Sequence, residues 1–206
     1  MTEHSRVIAG SCLVLGPALQ ALSTFFWEEH RQGIATGALI VLATVCWIAG
    51  LAHVFRDIEA RVPRYAAVAF PLAVYGCVGG VAFGLQGMFE ELFGATHEHT
   101  VQLLQAHPFA ANVAFWIAGP LFPAGVFVLG LVLTRIRYVP PPAGLLMAAG
   151  AVVFPLSRIP REAAIAHAAD LVLLLPFAYL GIRTIKGTSP RPSASPRTHT
   201  TEHTPA

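Results

Sequence analysis

Apolar residues in this chain gather into six long runs, at about 7–27, 34–55, 65–88, 109–134, 141–156 and 163–182. That spacing constrains the fold more than any other feature. A bilayer core about 30 Å thick takes roughly 20 apolar residues of helix. Lipid offers the backbone no hydrogen-bond partner, so a crossing segment must satisfy its own N–H and C=O groups, as a helix does. Composition agrees, with 55% hydrophobic and 12% charged residues, a mean hydropathy of +0.62, and charges that fall between the runs. The predicted fold is all-α, a polytopic membrane bundle of six transmembrane helices within residues 1–186, with no room for a separate soluble domain. Val7 to Trp27 is longer than a signal-peptide core and lacks a small-x-small cleavage site, so it reads as a retained first helix. From Gly187 to Ala206 the chain turns to Ser, Thr and Pro. Such a segment buries too little apolar surface to offset its ordering entropy and is predicted to be a disordered tail.

Charge fixes an orientation. Both termini in the cytoplasm put Arg6, Arg56, Arg61, Arg64, Arg135, Arg137, Arg183, Lys186, Arg191 and Arg197 inside and leave Arg31, Arg158 and Arg161 outside. The positive-inside rule describes this asymmetry, and it predicts a multi-pass protein of the cell membrane with an even number of spans. The net charge of +2 and the lack of a basic patch with interleaved aromatics exclude nucleic acid as a partner. Cys12, Cys46 and Cys77 lie in different apolar runs at no metal-ligand spacing, so they form no disulfide framework and read as core residues.

The polar residues inside the runs carry what functional signal there is. His167 and Asp170 stand three apart in the last run, and Asp170 lies eight residues beyond Glu162, roughly 12 Å along a helix. An ionisable group at that depth faces protein or a wet cavity. One reading is a buried structural pair, with Asp170 held by His167, Arg158 or Arg161. The other is a carboxyl kept protonated by apolar surroundings, a proton donor that His167 orients or recharges. Gln20, Ser23, Thr24 and Trp27 form a stripe on the first helix. Gln86 and Glu90 share a face of the third, and Asn112 and Trp116 do so on the fourth. These predict a shared cavity opening outward, with Gln20, Trp27, Gln86, Asn112 and Trp116 as substrate contacts. The plainer reading of Gln20 and Asn112 is interhelical hydrogen bonding. Glycines at four-residue spacing, Gly76, Gly80 and Gly84 on the third helix and Gly33 and Gly37 on the second, predict close helix contacts.

A rival site comprises His97, His99, His107 and Glu91, all on the outer side. Imidazole and carboxylate together suit zinc or copper, and this cluster predicts a non-enzymatic membrane protein that binds a metal, a small molecule or a partner. A carboxylate in the last span (Asp170), another near the end of the third (Glu90) and many aromatics in a compact bundle resemble the small integral-membrane terpene cyclases of meroterpenoid pathways. Those are helical bundles with acidic proton donors and are described with seven spans, against six here. The resemblance implies acid-initiated cyclisation or isomerisation of an isoprenoid-like lipophilic substrate. Asp170, His167 and Glu90 would be the catalytic residues, with no cofactor, and the partners would be the lipophilic substrate and the lipid bilayer.

Overall fold

The structure, a computed structural model, describes residues 2–28, 31–158 and 162–188. The predicted tail therefore lies, from residue 189 on, outside the described residues. Helix α1 spans Glu3–Thr24, α2 Ile34–Glu59, α3 Pro63–Leu92, α4 His97–Ala106, α5 Pro108–Ala111, α6 Ala118–Arg135, α7 Pro141–Arg158 and α8 Ala163–Ile185. A two-residue antiparallel pairing, Trp27 with Gln32 and Glu28 with Arg31, closes the turn between α1 and α2. Among the described residues, five stretches are long and apolar enough to cross a membrane: α1, α2, α3, Pro108–Arg135 and α8. At 18 residues, or about 27 Å, α7 is as long as α6, but α6 continues a longer apolar stretch that begins at Pro108.

Several boundaries differ from those predicted. The polar lead before Val7 is helical because Thr2 caps α1, its Oγ1 accepting the Ser5 N–H at 3.4 Å. Helix α3 extends beyond 65–88 at both ends. It starts on Pro63, whose missing N–H has no helical partner to lose at that position, and stops before Gly94, which takes a positive φ of 62°. The fourth run is not one α-helix. Its outer part widens into a π-helical turn, Asn112–Trp116, in which the Ile117 N–H reaches back to the Asn112 carbonyl at 2.9 Å. Two features sustain it. Pro120 cannot donate to the Trp116 carbonyl, and the Tyr75 hydroxyl of α3 donates to the Val113 carbonyl at 2.6 Å.

Six helices form a closed ring. Each of α1, α2, α3, α6, α7 and α8 packs chiefly on its chain neighbours, and α8 returns to α1. Neighbours run antiparallel. Along the closing pair, Gly10 lies against Gly181 at one end, whereas Thr24 meets Asp170 at the other. Close approach depends on glycine at four of the interfaces, one of them α3–α6, where a Cβ added at Gly79 would sit 2.5 Å from the Ala118 carbonyl carbon. A Cβ added at Gly10 would sit 2.6 Å from the Gly181 carbonyl oxygen, one at Gly37 2.7 Å from that of Gly84, and one at Gly130 2.6 Å from that of Gly144. Gly80, in the same predicted series, faces open space.

The middle of the ring is filled by rings. Trp47 of α2 stands edge-on to Phe122 of α6 at 5.2 Å and to Phe177 of α8 at 4.5 Å, and Phe122 meets Phe154 of α7 at 5.7 Å. Each such pair contributes about 0.5–1.5 kcal/mol beyond area burial. The Trp47 indole N–H donates to Gln20 Oε1 at 3.1 Å, so Gln20 is interhelical glue. One end of the ring gathers Arg6, Arg56, Arg61, Arg64, Arg135, Arg137, Arg183 and Lys186. There Tyr138, 2% exposed, donates its hydroxyl to Asp57 Oδ2 at 2.9 Å and accepts from Arg183 Nη1 on its carbonyl at 2.8 Å.

Because the α1–α8 seam closes the ring backbone to backbone, Gly181→Ala is expected to destabilise the protein by about 1–3 kcal/mol, read as a lowered melting temperature in detergent. Gly80→Ala should leave melting unchanged or raise it by up to about 1 kcal/mol of helix propensity.

Candidate functional site

The opposite end of the ring holds two buried carboxylates in different company. Asp170 lies two turns into α8. Arg158, the last residue of α7, reaches it with Nη2 at 2.5 Å from Oδ1, and the Thr24 hydroxyl of α1 donates to Oδ2 at 2.6 Å. Arg158 Nη1 in turn donates to Thr24 Oγ1 at 3.1 Å. The guanidinium carbon stands 4.8 Å from the Trp27 ring centroid and 4.9 Å from that of Phe154, an arrangement in which the π faces stabilise its charge. The Asp170 side chain is 1% exposed and that of Arg158 15%. Both carboxylate oxygens are therefore engaged, one of them by a cation, and the group joins α1, α7 and α8. This is the structural reading of Asp170, with Arg158 as its partner. His167 does not join it. Its ring lies 4.4 Å from that of Phe25, which follows α1.

Glu90, one turn from the end of α3, is supported by Gln86 one turn before it, whose Nε2 donates to Oε1 at 2.9 Å. His97, the first residue of α4, places Nδ1 2.9 Å from the same oxygen. The Glu90 side chain is 7% exposed and that of His97 43%, so an exposed imidazole touches a buried carboxyl. Helix α4 begins there because Thr96 caps it, Oγ1 accepting the His99 N–H at 3.2 Å. Glu91 turns the other way. Its Oε2 accepts the Ile34 N–H at 2.6 Å, the first amide of α2. It supplies the cap that Gly33 cannot, and a carboxylate there complements the helix dipole.

Beside these two residues a partly open cavity of 370 Å³ is lined by Phe26, Gln32, Gly33, Ile34, Ala35, Gly87, Glu90 and Glu91. Gly87 makes it possible. A Cβ there would lie 2.6 Å from the Gln32 carbonyl oxygen, so a larger residue would push the α1–α2 turn off α3.

The predicted site residues thus divide. Gln86, Glu90 and His97 come together, with Glu91 next to them on the cavity. Trp27 joins the Arg158–Asp170 group. Gln20 is taken by Trp47. Asn112 and Trp116 sit exposed on the π-helical turn, and Trp116 keeps company with Phe83 and Phe115. The expected metal set does not assemble, since His99 and His107 are exposed and no three His, Cys, Asp or Glu among the described residues converge on a metal-sized site. Gln32 and the capping role of Glu91 carry no sequence signal, because both depend on α3 lying against the start of α2. Compared with protein-family models, curated proteins and solved structures, the chain finds no match.

The buried ion pair makes a stability prediction. Asp170→Asn and Arg158→Met each strand one buried partner and should cost roughly 3–5 kcal/mol. The double variant should lose clearly less than the sum. Thermal unfolding of the purified variants in detergent measures this.

Proposed function

We propose that this protein binds a small cationic or amphiphilic molecule at the carboxylate-lined end of a six-span bundle in the cell membrane, with both termini on the cytoplasmic side. The observation that carries the reading is the pair of successive glutamates, one buried and one exposed, on the wall of a single 370 Å³ cavity beside Phe26. That volume falls at the small end of ligand pockets. The chemistry suits an ammonium head that pairs with Glu90 and Glu91 and an apolar body that rests on Phe26 and Ile34. Arginines cluster at the other end of the antiparallel ring, so the positive-inside rule sets this cavity on the outer side. The six-span count rests on α7 taking its place in the ring.

A second reading has its own support in the Glu90–His97 contact. An imidazole half in solvent and 2.9 Å from a buried carboxyl is a route by which a proton reaches the cavity wall. In that reading Glu90 is the acid of a protonation-driven isomerisation or cyclisation of an isoprenoid-like substrate, His97 restores its proton, and Asp170 serves structure.

Calorimetric titration of the detergent-solubilised protein with alkylammonium probes should give saturable binding that Glu90→Gln weakens by about tenfold, the worth of one charge-assisted hydrogen bond. His97→Ala should change affinity by less than about threefold. Incubation with prenylated substrates, analysed by mass spectrometry, separates the two readings. Product formed by the wild type and lost in both Glu90→Gln and His97→Ala would replace binding with catalysis. No saturable binding of any ammonium probe would sink the first reading.

A further inference from the structure

The arginine-rich end holds a second cavity, of 340 Å³, where α6 ends, α7 begins and α8 leaves the bundle. It is lined by Thr134, Arg137, Tyr138, Val139, Pro140, Pro141 and Arg183. Its two charged side chains are both guanidinium groups, and no carboxylate lines it.

Arg137 is the informative residue. Helix α6 stops in a Schellman arrangement, in which the Tyr138 N–H donates to the Leu133 carbonyl at 2.8 Å and the Arg137 N–H to that of Thr134 at 3.0 Å. The residue at the position of Arg137 must take a left-handed conformation, which glycine does without penalty and a residue with a Cβ does not. Arg137 adopts it with φ of 54°, the one non-glycine residue with positive φ among those described. Its side chain is exposed, and among the described residues it forms no ion pair. A side chain held at a site that favours none points to a use for that side chain.

Arg183 faces it from α8 in a fixed pose. Nη1 donates to the Tyr138 carbonyl at 2.8 Å and Nη2 to that of Thr188 at 3.3 Å, and the guanidinium carbon lies 5.5 Å from the Tyr179 ring centroid. One preset and one unpaired guanidinium around a cavity match a phosphate, which accepts forked N–H donors. The apolar part of the lining, Val139, Pro140 and Pro141, sits where helices leave the hydrocarbon for the headgroup layer, and basic pockets at that level hold anionic headgroups.

We infer that this cavity binds the phosphate of an anionic phospholipid, with Arg137 as its principal ligand and Arg183 as a fixed second donor. The test uses the full chain in non-ionic detergent, titrated with phosphatidylglycerol or phosphatidylcholine of the same acyl chains. Melting temperature and native mass spectrometry of retained lipid are the readouts. The wild type should prefer phosphatidylglycerol by about tenfold or more. Arg137→Gly should lose most of that preference while melting, lipid-free, at the same or a higher temperature, because glycine suits the helix end. Arg135→Gln, which removes a charge two residues away and outside the cavity, should keep the preference. A wild type without preference, retention of the preference in Arg137→Gly, or equal loss in Arg135→Gln would overturn the inference. Inorganic phosphate that stabilises the protein as well as phosphatidylglycerol does would assign the cavity to a soluble anion instead.

Discussion

The bundle depends on α8 returning to α1. In lipid no water drives apolar helices together, so association rests on close contact and on polar groups with nowhere else to go. The α1–α8 seam uses both. At the arginine end two glycines let the backbones meet, Gly10 against Gly181. At the carboxylate end Asp170 takes a hydroxyl proton from Thr24 and a guanidinium from Arg158, which binds α7 to the same seam. Each helix in the ring has two principal neighbours, so an opened seam would leave α8 held by α7 alone. Trp47, Phe122, Phe154 and Phe177 then lock the centre by edge-to-face contact, which a loose ring would not sustain.

Two buried carboxylates at one end thus carry opposite kinds of chemistry, and their partners decide which. A carboxyl that meets a cation at 2.5 Å and a hydroxyl donor has its charge matched and both oxygens occupied. It holds helices together. The contacts of Glu90 include an amide, Gln86, and an imidazole, His97, and it borders open space. The depth of Asp170 in the last apolar run marks it as the more conspicuous residue in sequence. The cavity is bordered instead by the glutamate nearer the surface.

Much of the architecture was legible because it follows from one-dimensional patterns. Apolar runs and charge placement give the helices, and helical spacing gives the Gln86–Glu90 pair and the glycine contacts on α3. The departures are those in which a distant residue decides. The break in the fourth run depends on Tyr75 accepting the duty of a lost helical bond. Spacing alone groups Gln20, Trp27, Asn112 and Trp116 in one cavity, whereas the fold gives them different neighbours. Helical phase within one segment is readable, whereas the rotation of one helix against another is set by contacts such as Trp47 on Gln20. Thr24 illustrates the same limit. It lies on the predicted polar stripe, yet nothing in the sequence pairs it with a residue 146 positions away.

The cavity beside Glu90 is also a helix terminus, and this ties recognition to the fold. Glu91 borders the cavity while its Oε2 holds the first amide of α2. A cation bound there draws on the same negative charge that favours the start of α2. Ligand and helix dipole then compete for one carboxylate, unless the ligand's charge sits nearer Glu90, whose Oε1 is held away from α2 by Gln86 and His97. The geometry therefore gives adjacent glutamates separate duties. Glu91 maintains the wall by fixing α2 against α3, and Glu90 is the glutamate that the proposed ammonium ligand would engage with less disturbance of α2.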